Sequence, residues 1–313
     1  MGGGGSGGGG AFSKRSPEQL RELVRKAEHQ TTDAVFEANL AKFLGELLGA
    51  YNARDTEAVS ERLEALKAAL EKSIDGTLDY LFGGSVAKHT YVDGLSDVDS
   101  LLLIDDTSLE RKSPQTAIAR IEAIIKRQLG NKAVVSHGRM AITVEYPDGM
   151  VLQLLPAVRT DAGLIRVPSS RRDGWSSINP VTFQEALTRR NKECDGKLVP
   201  MIKLAKAING QLPDAQRLSG YHLESLAIAA FRGYDGEKTT AAMLPAFFER
   251  ARALVLSPIV DSTGQSVHVD EYLGPANSEA RQAAGHLLGR LARRMRNATA
   301  AASMEQWQAM FEI

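Results

Sequence analysis

The chain has 313 residues, 43% hydrophobic and 24% charged, and its 38 basic and 38 acidic side chains cancel to a net charge of zero. That length suits two modest domains or one large one, and the charge balance leaves no global field to attract nucleic acid, so any basic surface must be local. One cysteine, Cys194, excludes a disulfide framework and a cysteine-rich metal site and fits a reducing cytosol; neither a signal peptide nor a membrane-spanning segment is expected.

The opening MGGGGSGGGG, residues 1–10, reads as an engineered flexible linker and is set aside from the fold. Helical signals begin at Ser16-Pro17-Glu18-Gln19, where a serine cap, a proline in the first turn and a glutamine at the third position form a capping box. A second helix is expected from Ala38 to Tyr51, with Leu40, Phe43, Leu44, Leu47 and Leu48 on one side. Asp55 caps a third, in which Val59, Leu63, Leu66, Leu70 and Ile74 recur at three and four residues until Gly76 ends it.

The stretch that follows carries chemistry. The apolar run Leu78, Tyr80, Leu81 and Phe82 breaks at Gly83-Gly84-Ser85, and the chain returns to Asp97 and Asp99 before a second apolar run, Leu101 to Ile104. Strand residues alternate faces, so the two aspartates point the same way, about 7 Å apart along the backbone. Two carboxylates on one face favour a cation between them, and a hard ion such as Mg²⁺ or Mn²⁺ takes oxygen ligands and also holds substrate phosphates. A Gly-Gly-Ser turn supplies close backbone approach and free N–H groups suited to phosphate.

Beyond it, Ser113-Pro114-Gln115 starts an amphipathic helix through Ile118, Ile121, Ile124 and Ile125 that closes near Gly130. Three strand-like runs come next, Lys132 to Ser136, Met140 to Tyr146 and Met150 to Leu155, the last two joined by a turn at Pro147-Asp148-Gly149. The remainder is mainly helical: Gly196 to Ile208, Tyr221 to Phe231, Thr239 to Leu256 and Asn277 to Asn297. The fold class is α+β, a mixed sheet with flanking helices followed by a mainly helical domain.

A Gly-Ser pair, a spacer of about ten residues and Asp-x-Asp resemble the signature of the polymerase-beta-like nucleotidyltransferases. The branch most similar includes cyclic GMP-AMP synthase and the bacterial cyclic-oligonucleotide synthases of anti-phage defence. The resemblance implies a third metal-binding carboxylate on a later strand that ends in Pro-Ala. Here that strand reads Val151-Leu152-Gln153-Leu154-Leu155-Pro156-Ala157, and Gln153 stands where the aspartate is expected. A glutamine carbonyl still ligates a hard cation, but it brings no negative charge and is a poor base. Three readings stay open: Gln153 as a weak ligand, Glu145 on the preceding strand as a substitute, or nucleotide binding without turnover. A tight hairpin around Asp148-Gly149 would pair Val144 with Gln153 and put Glu145 opposite Leu152, on the other face.

The resemblance extends into the second half. It implies that Lys203, in LVPMIKLAKAIN, reaches the triphosphate; the alternative is a solvated helix face, which fits Lys206 equally well. Ser219-Gly220-Tyr221-His222 is similar to a helix start at which a serine contacts phosphate and a tyrosine stacks on a base, with His222 structural; Gly220 is an insertion in that pattern. Asp261, in Pro258-Ile259-Val260-Asp261, matches a late loop near the base. Val167-Pro168-Ser169 to Trp175, and Ser177-Ile178-Asn179-Pro180, resemble a segment linking sheet and helical half.

The expected division is therefore a catalytic core over 11–165, with its N-terminal helices, and a helical domain over 166–313 completing the nucleotide cleft. Asp97 and Asp99 would hold Mg²⁺ or Mn²⁺, with Gly83, Gly84 and Ser85 on the phosphates. The implied substrates are nucleoside triphosphates and the product a cyclic or short oligonucleotide read by a separate effector protein in the cytoplasm. A linear, untemplated product primed by the N-terminal tail and a regulator without turnover are the alternatives. Two basic clusters remain: Arg171, Arg172, Arg189, Arg190 and Lys192, and Arg290, Arg293, Arg294 and Arg296 along the last helix, either solvated faces or a track for an oligonucleotide.

Overall fold

A computed structural model describes residues 16–51, 56–73, 78–81, 100–104, 109, 111–160, 163–169, 174–259 and 269–311. The capping box forms as expected: the Gln19 N–H donates to Ser16 Oγ at 3.2 Å, and the Ser16 N–H donates to Gln19 Oε1 at 3.0 Å. The helix it opens, α1 (Pro17–Tyr51), runs unbroken for 35 residues where two helices were expected. No glycine or proline interrupts the chain between Pro17 and Gly45, so nothing stops propagation. A second helix, α2 (Thr56–Glu71), buries Val59, Leu63, Leu66 and Leu70 as their spacing predicts; Asp55, Ile74 and Gly76 lie outside the described residues.

Seven strands form one mixed sheet: β1 (Leu78–Leu81), β2 (Ser100–Ile104), β3 (Val134–His137), β4 (Ile142–Glu145), β5 (Val151–Arg159), β6 (Ile165–Pro168) and β7 (Trp175–Ile178). Their order is β1-β2-β5-β4-β3, and the far end of β5 also pairs with β6, which pairs with β7. Among the described residues only β2 and β5 run parallel. The β6–β7 hairpin lies where the sequence suggested a connecting segment. Runs of four residues that include Pro168 carry too little alternation to read as strands.

One face of the sheet packs against α2 and α3 (Pro114–Leu129). Leu102, Ile104, Ile142, Val144, Leu152 and Leu154 meet Leu63, Leu66, Ile118, Ile121 and Ile125 in one apolar cluster. The other face holds a smaller cluster, Leu101, Leu103, Ala157 and Val167.

The chain then forms α4 (Pro180–Glu193), α5 (Leu198–Gly210), α6 (Gly220–Ala230), α7 (Thr240–Leu254), α8 (Glu279–Ala300) and α9 (Met304–Gln308). Boundaries differ from the expected ones by up to three residues, the usual latitude at frayed ends. The helix not anticipated before Gly196, α4, starts on a local signal: Asn179 Oδ1 accepts the Thr182 N–H at 3.1 Å, with Pro180 in the first turn. These helices share a core around Phe183, Met201, Leu226, Phe247, Leu288 and Trp307, joined by Phe36, Leu40 and Leu44 of α1. No helix among the described residues is long and apolar enough to cross a membrane.

Candidate active site

The turn between β4 and β5 decides which side chains face the site. It is a three-residue loop, Pro147-Asp148-Gly149: Tyr146 N–H donates to Met150 O at 2.8 Å and Gly149 N–H to Tyr146 O at 2.9 Å. Gly149 sits at φ 86°, a backbone conformation that a side chain would strain. A loop with one central residue instead of two shifts the register by one position. Gln153 pairs with Thr143 rather than Val144, and Glu145 pairs with Val151 rather than Leu152. A one-residue shift flips every side chain. The expectation that Glu145 lies on the opposite face from Gln153 is therefore corrected: Thr143, Glu145, Val151 and Gln153 share a face.

Exposure agrees with that register. Ile142, Val144, Leu152 and Leu154 are fully buried on the apolar side, whereas Gln153 and Thr143 are half-buried and Glu145 and Val151 exposed on the other. Glu145 is diagonal to Gln153, a separation of about 7–8 Å between backbones and within reach of a long side chain. The hairpin is held from outside. Arg62 of α2 grips Asp148 through both guanidinium nitrogens, at 3.0 and 2.5 Å, with its guanidinium carbon 4.0 Å from the centre of the Tyr146 ring. The paired guanidinium lowers the Asp148 carboxyl to about 2.

Parallel pairing sets β2 beside β5. Ser100, the first residue of β2, aligns with Leu154, and Leu101 with Leu155. The chain enters β2 directly from Asp99, and Leu154 directly follows Gln153. Asp97, Asp99, Gly83, Gly84 and Ser85 themselves lie outside the described residues, as does Asp261. Among the described residues no group of three or more His, Cys, Asp or Glu side chains is placed to hold a metal.

In the helical half, α5 and α6 sort the two lysines. Lys206 is buried and its Nζ lies 2.7 Å from Glu224 Oε1, itself buried. That ion pair corrects the solvated-face reading of Lys206, which is a buried structural charge. Lys203, one turn earlier, is half-buried, and burial, with the charge of Lys206 added, pushes its ammonium pKa down. A cation in that position gains when an anion arrives. Gly220 packs on the same lysine: a Cβ there would lie 3.4 Å from Lys206 Cε, an ordinary contact.

Ser219 caps α6, its Oγ accepting the His222 N–H at 3.2 Å, and it is exposed. Tyr221 is half-buried, its ring 4.5 Å from Phe183 and tilted by 40°. Arg190 of the first basic cluster is not a solvated charge. It is buried, donates Nε–H to Ile228 O at 3.1 Å and pairs with Glu193.

A buried polar network behind the α6 start was not legible in the sequence. Arg281, fully buried, donates to Asp270 Oδ2 at 2.7 Å and to the carbonyls of Gly274, Val255 and Ser257 at 2.9, 3.0 and 3.2 Å. Asp270 Oδ2 also accepts the Ile259 N–H at 2.9 Å. Residues 259 and 270, flanking 260–268, are thereby tied together. Tyr272 carries the connection to α6: its hydroxyl accepts the Ser219 N–H at 3.1 Å and lies 2.8 Å from His222 Nδ1. Burial pushes the Tyr272 phenol up to about 12.

Burial, opposed by Asp270 and reinforced by Arg281, lowers His222 to about 4. The imidazole is neutral at pH 7, and its Nδ1 shares a hydrogen bond with the Tyr272 hydroxyl. A depressed folded-state value means the unfolded chain binds more protons between pH 4 and 6.5. The His222 contribution to stability is complete above pH 6.5 and falls by on the order of 3 kcal/mol as the pH drops to 4. Urea titrations from pH 7 to pH 4 are expected to show that loss, and His222→Gln should flatten it. An equal slope in the variant would assign the loss to other groups.

Residues 36–191 match the family model SMODS, described as Second Messenger Oligonucleotide or Dinucleotide Synthetase domain. The chain carries a SMODS nucleotidyltransferase domain. Its fold is that of solved enzymes of the same kind. The CD-NTase CdnG of Bradyrhizobium diazoefficiens, in complex with GTP, superposes with a TM-score of 0.67 at 17% identity, covering 85% of this chain and 92% of that one. The STING-associated CdnE c-di-GMP synthase of Capnocytophaga granulosa gives 0.61 at 16%, covering 91% and 95%. The DncV cyclic AMP-GMP synthase of Vibrio cholerae, in complex with nonhydrolyzable GTP, gives 0.59 at 11%, covering 95% and 90%. No curated protein matches the sequence. The SMODS match ends inside α4, yet these superpositions take in most of the chain, so the helical half belongs to the shared fold.

Proposed function

We propose that the protein links nucleoside triphosphates into a cyclic or short oligonucleotide signal of anti-phage defence, read by a separate effector. A ribose or deoxyribose hydroxyl of one nucleotide attacks the α-phosphorus of another. A new P–O bond forms, the bond between the α-phosphorus and the bridging oxygen breaks, pyrophosphate leaves and the hydroxyl proton passes to solvent. The observation that carries this reading is the parallel pairing of β2 with β5, which joins the strand entered from Asp99 to the strand of Gln153.

Each residue has a part in that reading. Gly83, Gly84 and Ser85 hold phosphates, Lys203 neutralises charge on the pyrophosphate, and Tyr221, with Phe183 behind its ring, offers a platform for a base. Ser219 supplies the exposed start of α6, and Asp261 contacts the base from 260–268. Asp97 and Asp99 hold Mg²⁺ or Mn²⁺, assisted by the Gln153 carbonyl. Such ions, when bound, polarise the phosphate and lower the pKa of the attacking hydroxyl. The oxygen-only donor set suits a hard ion, and Glu145 adds a carboxylate to the same face. The cleft lies between the catalytic core over 11–165 and the helical domain over 166–313.

One observation favours a second reading, a nucleotide-binding regulator without turnover: an uncharged amide stands at position 153. Incubation with each labelled NTP and dNTP in Mg²⁺ or Mn²⁺ separates the two. Pyrophosphate release is expected, with phosphatase-resistant products if the signal is cyclic; no release with any nucleotide would leave only the regulator. A finer comparison concerns the third ligand. Gln153→Asp is expected to lower the Mg²⁺ concentration for half-maximal turnover by about tenfold, one added carboxylate being worth roughly 1–2 kcal/mol at a half-buried site. Glu145→Gln should raise that concentration, and an unchanged value would show that sharing a face with Gln153 has no part in metal binding.

A further inference from the structure

The four arginines of α8 do not form one track. Arg296 donates to Glu249 of α7 at 2.9 Å, and Arg294 lies exposed outside the groove described next. Arg290 and Arg293 instead line a groove of about 660 Å³ along the α7–α8 seam, together with Arg252, Gly285, His286 and Gly289. Its size is in the range of small-molecule sites.

Two side chains are missing from the seam. A Cβ on Gly285 would come within 3.1 Å of the Arg252 carbonyl oxygen, and one on Gly289 within 3.0 Å of Arg252 Cδ. The helices therefore approach closely, and the Arg252 side chain lies over the bare backbone of Gly289. Three guanidinium groups and an imidazole meet there. The nearest opposing charge is Glu249, 3.5 Å from Arg252 and shared with Arg296. Neither Arg290 nor Arg293 has an acidic partner among the described residues. Like charges lining one groove favour a polyanion. Arginine forks match phosphate oxygens.

We infer that the α7–α8 groove binds a short chain of phosphates, that of a single-stranded oligonucleotide, through Arg252, Arg290 and Arg293. The site stands on the opposite logic from the catalytic reading: it needs no metal and no turnover. Its upper end is formed by Asn277 and Leu256, whose backbones are bonded at 2.8 Å, and Leu256 follows directly on Val255, which Arg281 holds. An occupant therefore touches the segments that anchor 260–268.

The test uses the full chain in EDTA, so that metal-dependent binding is silent, and a fluorescent tetranucleotide with a blocked 3′ end. Binding is expected with a log–log salt slope of about −2, three contacts at roughly 0.7 each. Arg290→Ala and Arg293→Ala should each weaken it about tenfold and remove about 0.7 from the slope. Arg294→Ala, equal in charge and adjacent in sequence, should leave it unchanged. Inorganic tripolyphosphate should compete. A twenty-nucleotide strand should bind no more tightly than the tetranucleotide if the groove takes a product-sized ligand. Absence of binding, equal loss in Arg293→Ala and Arg294→Ala, or a strong preference for the long strand would each overturn the proposal. Because no step involves catalysis, failure here and failure of pyrophosphate release are separate results.

Discussion

Arg281→Met is expected to destabilise the protein by about 3–5 kcal/mol, the cost of leaving one member of a buried ion pair without its partner. Asp270 would remain buried at 2% exposure with its charge unmatched, and the carbonyls of Gly274, Val255 and Ser257 would lose their donor. Replacing both partners, Arg281→Met with Asp270→Leu, removes the unpaired charge and should recover part of the loss. The Ile259 N–H, which donates to Asp270, would still be orphaned. Chemical denaturation of both variants and of Arg294→Ala measures this directly. A single-variant loss under about 1 kcal/mol would mean that the network is hydrated and contributes little. Because Tyr272 links the network to Ser219, a stable variant such as Tyr272→Phe should raise KM for nucleotide more than it lowers kcat. It removes a bond that orients the start of α6 but no group that reacts.

The second large effect concerns activity. Asp97→Asn together with Asp99→Asn is expected to reduce pyrophosphate release to background, a loss of at least ~10³-fold, because the two carboxylates are the principal charge available to hold Mg²⁺. The control for folding is the urea midpoint, which should match that of the parent. Turnover that persists in the double variant would refute the metal assignment. Turnover that is absent in the parent as well, with nucleotide still bound, would place the weight on Gln153 and the regulator reading.

The same contrast runs through the fold. Elements with a contiguous cause were legible: the Ser16 and Ser113 caps, the α2 stripe and the α3 stripe depend on neighbours three or four residues away. The signature stretch was legible too, since its glycines, serine and aspartates lie close together in the chain, and the family they indicated is the one whose model matches. The local patterns by themselves determined an α+β protein, and the resemblance of the signature stretch added the nucleotidyltransferase type. Tertiary structure alone decided the rest. The length of one turn, stabilised by Arg62 from a helix 86 residues earlier, chose which face Glu145 occupies. Burial turned Lys206 and Arg190 from surface charges into structural ones. Two glycines four residues apart matter only because α7 lies close against them. A residue's partners across the chain set its burial, its charge state and its direction, and no window along the sequence contains them.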